Sequence, residues 1–455
     1  MNDKALKRIF QGYVYYPPSS GFNTSRLQQV NDGSGATAYT YGKQGEVTST
    51  TRTIVTPVTP GETAVPLTFE EEYTYDSWNR IKTMKYPDGE VVTYGYDRGG
   101  NLTSMINNDN EEYISDIHYD HYEQRTFLEY GNGTSHHYTY EPGLRRLSTL
   151  IANTAVPSAS NGVAMCNNSY SYDNLSNVIG INNAASSIGA NNMGGNYDHT
   201  YTYDNFNRLS SATGNRAGTG NADQIDYTTN MSYGLMHRIT NKTQTHNAAS
   251  IPVASNTYNN DYIYGFDTGT RILPNAITDI TNATTGDVQT FSYDGNGNML
   301  THNNPAGDDR HMIWTESNML KAIRISDESL QHYIYDASGE RVLKGKGPIT
   351  YMAVSGGGSY SADIGNYTLY TSGSVVVGGN DQVTNHYYAG TERIVSRLAG
   401  PIGPHTTSTH LVTGQALINL QARQEADLDQ VYTTYGLGTP IISDIPPAAL
   451  SLIHI

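Results

Sequence analysis

One short motif, tyrosine-x-tyrosine-aspartate, recurs along most of the chain and constrains the fold more than any other feature of the sequence. The copy that ends at Asp76 returns 21 residues later in the copy that ends at Asp97. A chain with repeats at such a period packs each copy against its neighbours, because one copy alone cannot bury a core. The clear copies contain Tyr73, Tyr75, Asp76, Tyr94, Tyr96, Asp97, Tyr170, Tyr172, Asp173, Tyr201, Tyr203, Asp204, Tyr293, Asp294, Tyr333, Tyr335 and Asp336.

Each copy predicts a β-hairpin. The two tyrosines lie on one face of a strand, because side chains there repeat every two residues. The aspartate begins a turn by accepting backbone amides, and a glycine or asparagine further on supplies the left-handed conformation. A second strand then starts at a pair such as Arg208-Leu209. Asp88-Gly89 and Asn132-Gly133 predict tight turns between copies. Weaker copies begin at Ile117, Tyr138, Met231 and Ile313.

The repeats together predict an all-β fold of tandem hairpins that form a coiled sheet or a partial β-shell. A single hairpin is marginal in water, so neighbouring hairpins pair into one twisted sheet. The 37 tyrosines, against 7 phenylalanines and 2 tryptophans, favour a sheet with one dry and one wet side. Periodicity alone leaves open whether the array is closed or open. The second tyrosine of each clear copy is expected to be a half-buried structural residue.

The repeated motif and its spacing resemble the RHS/YD-repeat family over most of Tyr39 to Arg397. That family includes bacterial polymorphic toxins, shell proteins of insecticidal toxin complexes and the animal teneurins. The resemblance implies a hollow β-shell that encapsulates and delivers a C-terminal effector, secreted by a bacterium or displayed on its surface. The effector is then the expected partner. The alternative is a cell-wall-associated carbohydrate-binding or adhesion protein, in which tyrosine rows stack on sugar rings.

The C-terminal part of the sequence departs from that family. Its core normally ends in an aspartate-based self-cleavage segment, whereas Gln430 to Pro440 only loosely resembles the stretch that lies upstream of such a segment. Residues 450–455 resemble a translated sequencing adapter. We therefore expect the natural chain to continue beyond Ala449, with the protease and the effector in that continuation. The fragment alone should be non-toxic and should associate through unpaired strand edges.

The sequence also predicts an organisation into four parts. Residues 1–68 form an irregular N-terminal part with a degenerate repeat, residues 69–345 the repeat array, and residues 346–449 glycine-rich terminal strands with a short helix. Residues 450–455 are the suspected artefact. The helix is predicted at Leu417–Tyr432 from its amphipathic spacing. Long loops are predicted at 151–168 and 182–196, which are rich in small and polar residues.

Composition argues against several functional classes. The net charge of −16 lacks the basic footprint of a nucleic-acid-binding protein. Cys166 is the only cysteine, which excludes an internal disulfide and a cysteine-based zinc site. No apolar run reaches the roughly 18 residues of a membrane-spanning helix.

Several motifs resemble metal or catalytic sites but lack residues that such sites require. The sequence therefore predicts no cofactor, no metal, no catalytic residue and no enzyme activity. Asp294–Asn298 imitates a calcium loop, but Met299 and Pro305 stand where such a loop needs glycine and glutamate. His136 and His137, like His118 and His121, are placed on strands, where neighbouring residues point to opposite faces. The repeated aspartates occupy one identical position and are expected to form turns, since a catalytic pair needs two different environments.

Overall fold

A computed structural model describes residues 12–59, 62–154, 164–188, 193–216, 224–269, 271–354, 357–379, 382–399, 410–439 and 442. The chain divides into two compact units. The first unit comprises residues 1–93 and 307–455, and the second comprises residues 94–306. The four-part organisation expected from the sequence stays a prediction, and the suspected artefact at 450–455 lies outside the described residues.

Nearly all of the regular structure is antiparallel β-sheet, which confirms the predicted all-β class. In chain order the elements are β1 (Gly12–Tyr15), β2 (Leu27–Asp32), β3 (Gly35–Tyr41), β4 (Val47–Ile54), β5 (Leu67–Tyr75), β6 (Ile81–Lys85), β7 (Val91–Tyr96), β8 (Leu102–Asn107), β9 (Glu112–Tyr119), β10 (Arg125–Tyr130), β11 (Ser135–Tyr140), β12 (Leu147–Asn153), β13 (Ala164–Tyr172), β14 (Val178–Asn183), β15 (Ser187–Ile188), β16 (Met193–Gly194), β17 (Tyr197–Tyr203), β18 (Leu209–Arg216), β19 (Ile225–Tyr233), β20 (Ile239–Ala248), β21 (Ile251–Pro252), β22 (Tyr258–Asp267), β23 (Ile272–Asn282), β24 (Val288–Tyr293), β25 (Met299–Asn303), β26 (Arg310–Trp314), β27 (Leu320–Ile325), β28 (Ser329–Tyr335), β29 (Arg341–Val354), β30 (Gly357–Ala362), β31 (Asn366–Tyr370), β32 (Val375–Val377), β33 (Val383–Ala389), β34 (Glu392–Ala399) and α1 (Gly414–Tyr435), with short 3₁₀ turns at Gly21–Asn23, Leu235–His237 and Ala254–Asn256.

The second unit is a sheet in which strands pair in chain order from β8 to β25. The small hairpin of β15 and β16 stands apart, so that β14 pairs with β17, and β20 pairs with β22 as well as with β21. Among the described residues no pairing joins β8 to β25. The sheet of this unit is therefore open, which decides here between the two arrangements that the periodicity allowed.

The loop predicted at 151–168 is shorter in the structure than the sequence indicates. Residues 151–153 extend β12 and residues 164–168 extend β13, and the two strands pair with each other. The intervening residues 155–163 lie outside the described part of the chain. Sheet pairing satisfies the backbone groups of these polar residues, so small-residue composition alone did not mark a loop.

The first unit combines two stretches of chain around a packed core. Strands β1 to β7 pair in order, as do β26 to β29, and β29 pairs with both β30 and β31. Tyr86 and Tyr387 join the two stretches: their ring centroids lie 5.1 Å apart, and the Tyr86 hydroxyl donates to the backbone oxygen of His386 over 3.0 Å. Tyr387 also donates to Glu90, which pairs with Arg397 over 2.8 Å.

Helix α1 covers part of the first unit and extends three residues beyond the predicted Leu417–Tyr432 at each end. Leu420, Gln424 and Leu428 recur at four-residue spacing and are buried, as an amphipathic helix requires. Leu420 joins a core cluster that contains Val55, and Gln424 Nε2 donates to the backbone oxygen of Val55 over 3.0 Å. Gly436, at φ 65°, ends the helix in the left-handed conformation.

Candidate functional site

The repeat aspartates all close turns. Oδ1 of Asp76 accepts the backbone N–H groups of Trp78 and Arg80 at 2.9 and 3.0 Å, and Oδ2 accepts Nε of Arg80 at 2.7 Å. Asn79, between them, adopts a left-handed φ of 60°. Asp97 accepts the backbone N–H of Asn101. The same pair of backbone contacts recurs at Asp173, Asp204, Asp294 and Asp336.

These hydrogen bonds also fix the charge of the aspartates. The Arg80 side chain, which donates to Asp76, lowers the pKa of that carboxyl, and Arg208 does the same for Asp204. The side-chain amide of Asn177 lowers the pKa of Asp173. All three carboxyls therefore stay ionised acceptors. A glycosidase pair instead needs one carboxyl with a raised pKa, so these aspartates serve the turns.

In nine repeats the second tyrosine makes a hydrogen bond that the sequence did not reveal. Its hydroxyl donates to the backbone oxygen of the residue that begins a strand of an earlier hairpin. Tyr75 donates to Val47 over 2.7 Å, and Tyr203 donates to Val178 over 2.8 Å. The same bond joins Tyr41 to Leu27, Tyr119 to Leu102, Tyr140 to Arg125, Tyr172 to Leu147, Tyr233 to Leu209, Tyr264 to Ile239 and Tyr335 to Leu320.

A β-bulge aims these tyrosines. The strand register shifts directly before the second tyrosine, as between Thr74 and Tyr75 and between Thr202 and Tyr203. The same shift precedes Tyr293, which is hydrogen-bonded to the backbone of Ile277. An extra residue bends the strand and redirects the following side chain. The bulge thus turns the hydroxyl toward the start of the neighbouring strand.

The tyrosines form one half-buried face of the sheet. Tyr94, Tyr96, Tyr170, Tyr201 and Tyr333 are neither fully buried nor exposed. Burial raises the pKa of Tyr75, Tyr172, Tyr203, Tyr293 and Tyr335. Their hydroxyls consequently remain protonated donors at neutral pH. The half-buried role expected for the second tyrosines stays a prediction about their energetic contribution.

A polar groove of about 540 Å³ lies in the first unit. Its lining includes Thr40, Ser49, Glu72, Tyr73 and Lys85. Lys85 Nζ pairs with Glu72 over 2.5 Å. This groove combines hydroxyls with charges, and no local sequence motif marks it because its residues come from five different strands, β3 to β7.

The remaining sequence candidates do not assemble into a site. His118 pairs with Asp116 over 2.8 Å at an exposed position, and Nδ1 of His136 lies 3.2 Å from the Tyr138 hydroxyl. His121 lies against the Tyr122 ring, with centroids 3.8 Å apart. Within the described ranges no group of three histidine, cysteine, aspartate or glutamate side chains is placed to hold a metal ion. In the same ranges no helix is long and apolar enough to cross a membrane.

Repeated bulged hairpins closed by an aspartate turn and a tyrosine hydroxyl define a class of β-repeat proteins. Residues 73–112 match the family described as RHS Repeat. This match, together with the shared fold described next, confirms the resemblance to RHS/YD-repeat proteins that the motif and its spacing predicted. Among curated proteins no relative matches the sequence.

Solved structures of toxin complexes share the fold. The crystal structure of TcdB2-TccC3 superposes with a TM-score of 0.65 at 18% identity, over 88% of this chain and 20% of that chain. The Photorhabdus luminescens Tc holotoxin pore gives a TM-score of 0.63 at 18% identity, again over 88% and 20%. TcdB2-TccC3 without its hypervariable C-terminal region gives 0.52 at 15% identity, over 86% and 22%. The chain spans about one fifth of the length of these structures' chains.

Proposed function

We propose that this chain forms part of the wall of a β-shell that surrounds and carries a polypeptide effector encoded beyond it. The observation that carries the proposal is the tyrosine face of the second unit. In the described part of that unit the elements are the repeat sheet, one two-residue hairpin and short 3₁₀ turns. No layer of the unit therefore packs over the half-buried rings.

Such a face suits the inside of a container. The hydroxyls of Tyr172, Tyr203 and Tyr233 are already bonded to the backbone of the wall. Arg146 and Arg208 stack over the rings of Tyr172 and Tyr233, at 4.4 and 4.3 Å from the ring centroids. A tyrosine ring whose hydroxyl is already hydrogen-bonded offers no additional donor to an enclosed polypeptide. It can therefore contact an unfolded chain without preference for a particular amino-acid sequence. A wall that carries different effectors needs this tolerance.

The comparisons support the same role. One similar structure is described as lacking a hypervariable C-terminal region, and another as the pore of a Tc holotoxin. A variable C-terminal segment attached to a constant shell matches the proposed effector. By this likeness the partners would be other components of a toxin complex, the location would be outside the producing bacterium, and the wall itself would catalyse no reaction.

The test begins with the genomic DNA beyond codon 449. Further repeats, an aspartate-rich cleavage motif and an unrelated variable domain are expected there. The longer product is then expressed and treated with protease, with the variable domain alone as the matched control. The variable domain should survive in the longer product and be degraded alone. A natural stop codon after Ile455, or equal degradation in both samples, would contradict the proposal.

A carbohydrate-binding role is the second candidate, and the polar groove of the first unit favours it. Hydroxyls of Thr40, Ser49 and Thr83 and the Glu72–Lys85 pair line this groove, and sugars are bound by such precisely placed polar groups. A glycan array should then give hits that Lys85→Met abolishes and Lys82→Met preserves, since Lys82 lies on the same strand outside the groove. An array without hits would reject this candidate.

A further inference from the structure

Five successive turns of the second unit each expose one large apolar side chain. We call this set the turn ridge: Tyr122, Leu144, Leu175, Phe206 and Leu235 are 59, 63, 70, 68 and 86% exposed. Each member stands immediately before a residue with positive φ, namely Glu123, Arg145, Ser176, Asn207 and Met236.

The turns themselves do not require apolar side chains at this position. The backbone N–H of Leu175 donates to Asp173 over 2.8 Å, and that of Phe206 donates to Asp204 over 2.8 Å. Ser338 makes the same bond to Asp336 at 2.9 Å with a polar side chain. The corresponding residue is Gly99 in the copy before the ridge and Asn296 in the copy that contains Asp294. The fold thus leaves the side chain at this turn position free.

Contacts between neighbouring turns make the ridge continuous. Arg145 reaches back to Asp120 over 3.3 Å, and Arg146 reaches forward to the Ser176 hydroxyl over 3.2 Å. The next steps are the bond from Asn177 to Asn207, over 3.2 Å, and the contact of the Phe206 and His237 rings, at 5.4 Å. Consecutive turns lie two strands apart, so the ridge runs for about 40 Å at about 10 Å per step.

The size and charge of the ridge fit an interface with another acidic molecule. Its five large side chains are each more than half exposed, and a few central apolar side chains of this kind carry most of the binding energy of an interface. The whole chain carries −16, yet three arginines at the ridge turns are paired with acidic side chains. Ion pairs join Arg145 to Asp120, Arg146 to Glu141 and Arg208 to Asp204.

We propose that the turn ridge is the contact surface between two copies of this chain, related by a two-fold axis with the ridges antiparallel. A partner must present apolar side chains at the same spacing of about 10 Å as the turns of the ridge. A second copy of the chain has this spacing because its strands are equally far apart. In an isologous contact the central residue meets its own counterpart. Leu175 then lies against the partner's Leu175, Leu144 against the partner's Phe206, and Tyr122 against the partner's Leu235.

The first test is sedimentation equilibrium of the full chain over a range of concentrations. The native protein should dimerise, and combined Leu175→Asn and Phe206→Asn should weaken the dimer by about 100-fold or more, because central apolar contacts dominate interfaces. Circular dichroism should show an unchanged melting temperature, since asparagine occupies this position at Asn296. Trp78→Asn is the matched control: it changes the same turn position outside the ridge, and the dimer should persist.

Cysteine cross-linking tests the register. In a Cys166→Ala background, Leu175→Cys should form a disulfide-linked dimer under mild oxidation. Tyr122→Cys should cross-link with Leu235→Cys in a mixture, and not with itself. A monomer at every concentration, or a dimer that survives the ridge substitutions, would overturn the proposal. A dimer that forms through unpaired strand edges would survive the ridge substitutions and would therefore contradict the proposal. Self-cross-linking of Tyr122→Cys would overturn the antiparallel arrangement.

Discussion

The two units contain the same repeat but are held together by different forces. The first unit buries Val55, Leu343 and Tyr387 completely. The second unit also buries Met105, Ile114 and Leu128 completely, but after Leu128 the buried apolar residues of its described part are Ala185, Ala212 and Leu273. This later part of the second unit relies on the tyrosine–carbonyl bonds and the aspartate turns. A β-array can therefore be stable without a deep apolar core when polar contacts connect each repeat to the previous one. Mutations in each unit can test this conclusion.

The largest expected effect is the loss of core packing in the first unit. Leu343→Ala should lower the free energy of unfolding by about 2–5 kcal/mol, because the site is fully buried and leaves a cavity. The matched substitution Leu209→Ala, at a half-buried position of the second unit, should cost about 1 kcal/mol. Urea unfolding of both variants measures the difference. Equal losses would show that the two units do not differ in this way.

The sequence predicted the strand class and the turns because both depend on neighbours in the chain. Tyr-x-Tyr-Asp determines the strand face and the turn locally, and the turn contacts of Asp76 span four residues. The acceptor of the Tyr75 hydroxyl lies 28 residues away and that of Tyr335 lies 15 away, so no constant spacing marks it. Tyr264 makes the same bond although Gly265 replaces the aspartate, so the Tyr-x-Tyr-Asp motif does not mark this copy.

Contacts between distant stretches could not be predicted at all. Gln424 reaches the backbone of Val55 across 369 residues, and the polar groove is lined by residues of five strands. The helix itself was predicted because its apolar spacing is local. The turn ridge was visible in the sequence only as single apolar residues, since their alignment depends on the sheet.

The second-largest expected effect is a loss of folding stability at low pH, caused by protonation of His332. Burial, assisted by Lys321, lowers the pKa of His332 in the first unit to about 4. Since its ordinary pKa is 6.5, the unfolded chain binds this proton more readily. The stability contributed by the neutral ring is complete above pH 6.5 and falls by up to about 3 kcal/mol as the pH approaches 4. Thermal melts of the native protein and His332→Leu should show a smaller loss in the variant between pH 7 and 4.5. Parallel curves would contradict this assignment.

The smallest effect isolates one hydroxyl in the second unit. Tyr203→Phe removes the 2.8 Å bond to Val178 and should cost about 1 kcal/mol, because the backbone oxygen loses a donor while the ring remains. Tyr351→Phe is the control, since that ring is 56% exposed in the first unit and the change should be nearly neutral. Urea unfolding compares the two, and equal effects would show that the hydroxyl bond adds nothing.

Hydrogen exchange measured by mass spectrometry tests the central claim most directly: the tyrosine bond closes each repeat onto the previous one. In Tyr203→Phe, exchange should rise in β14 and β17, which the lost bond connects, and should stay unchanged in β27 and β28, where Tyr335 keeps its bond to Leu320. Unchanged exchange in β14 and β17, or an equal rise in β27 and β28, would contradict the account.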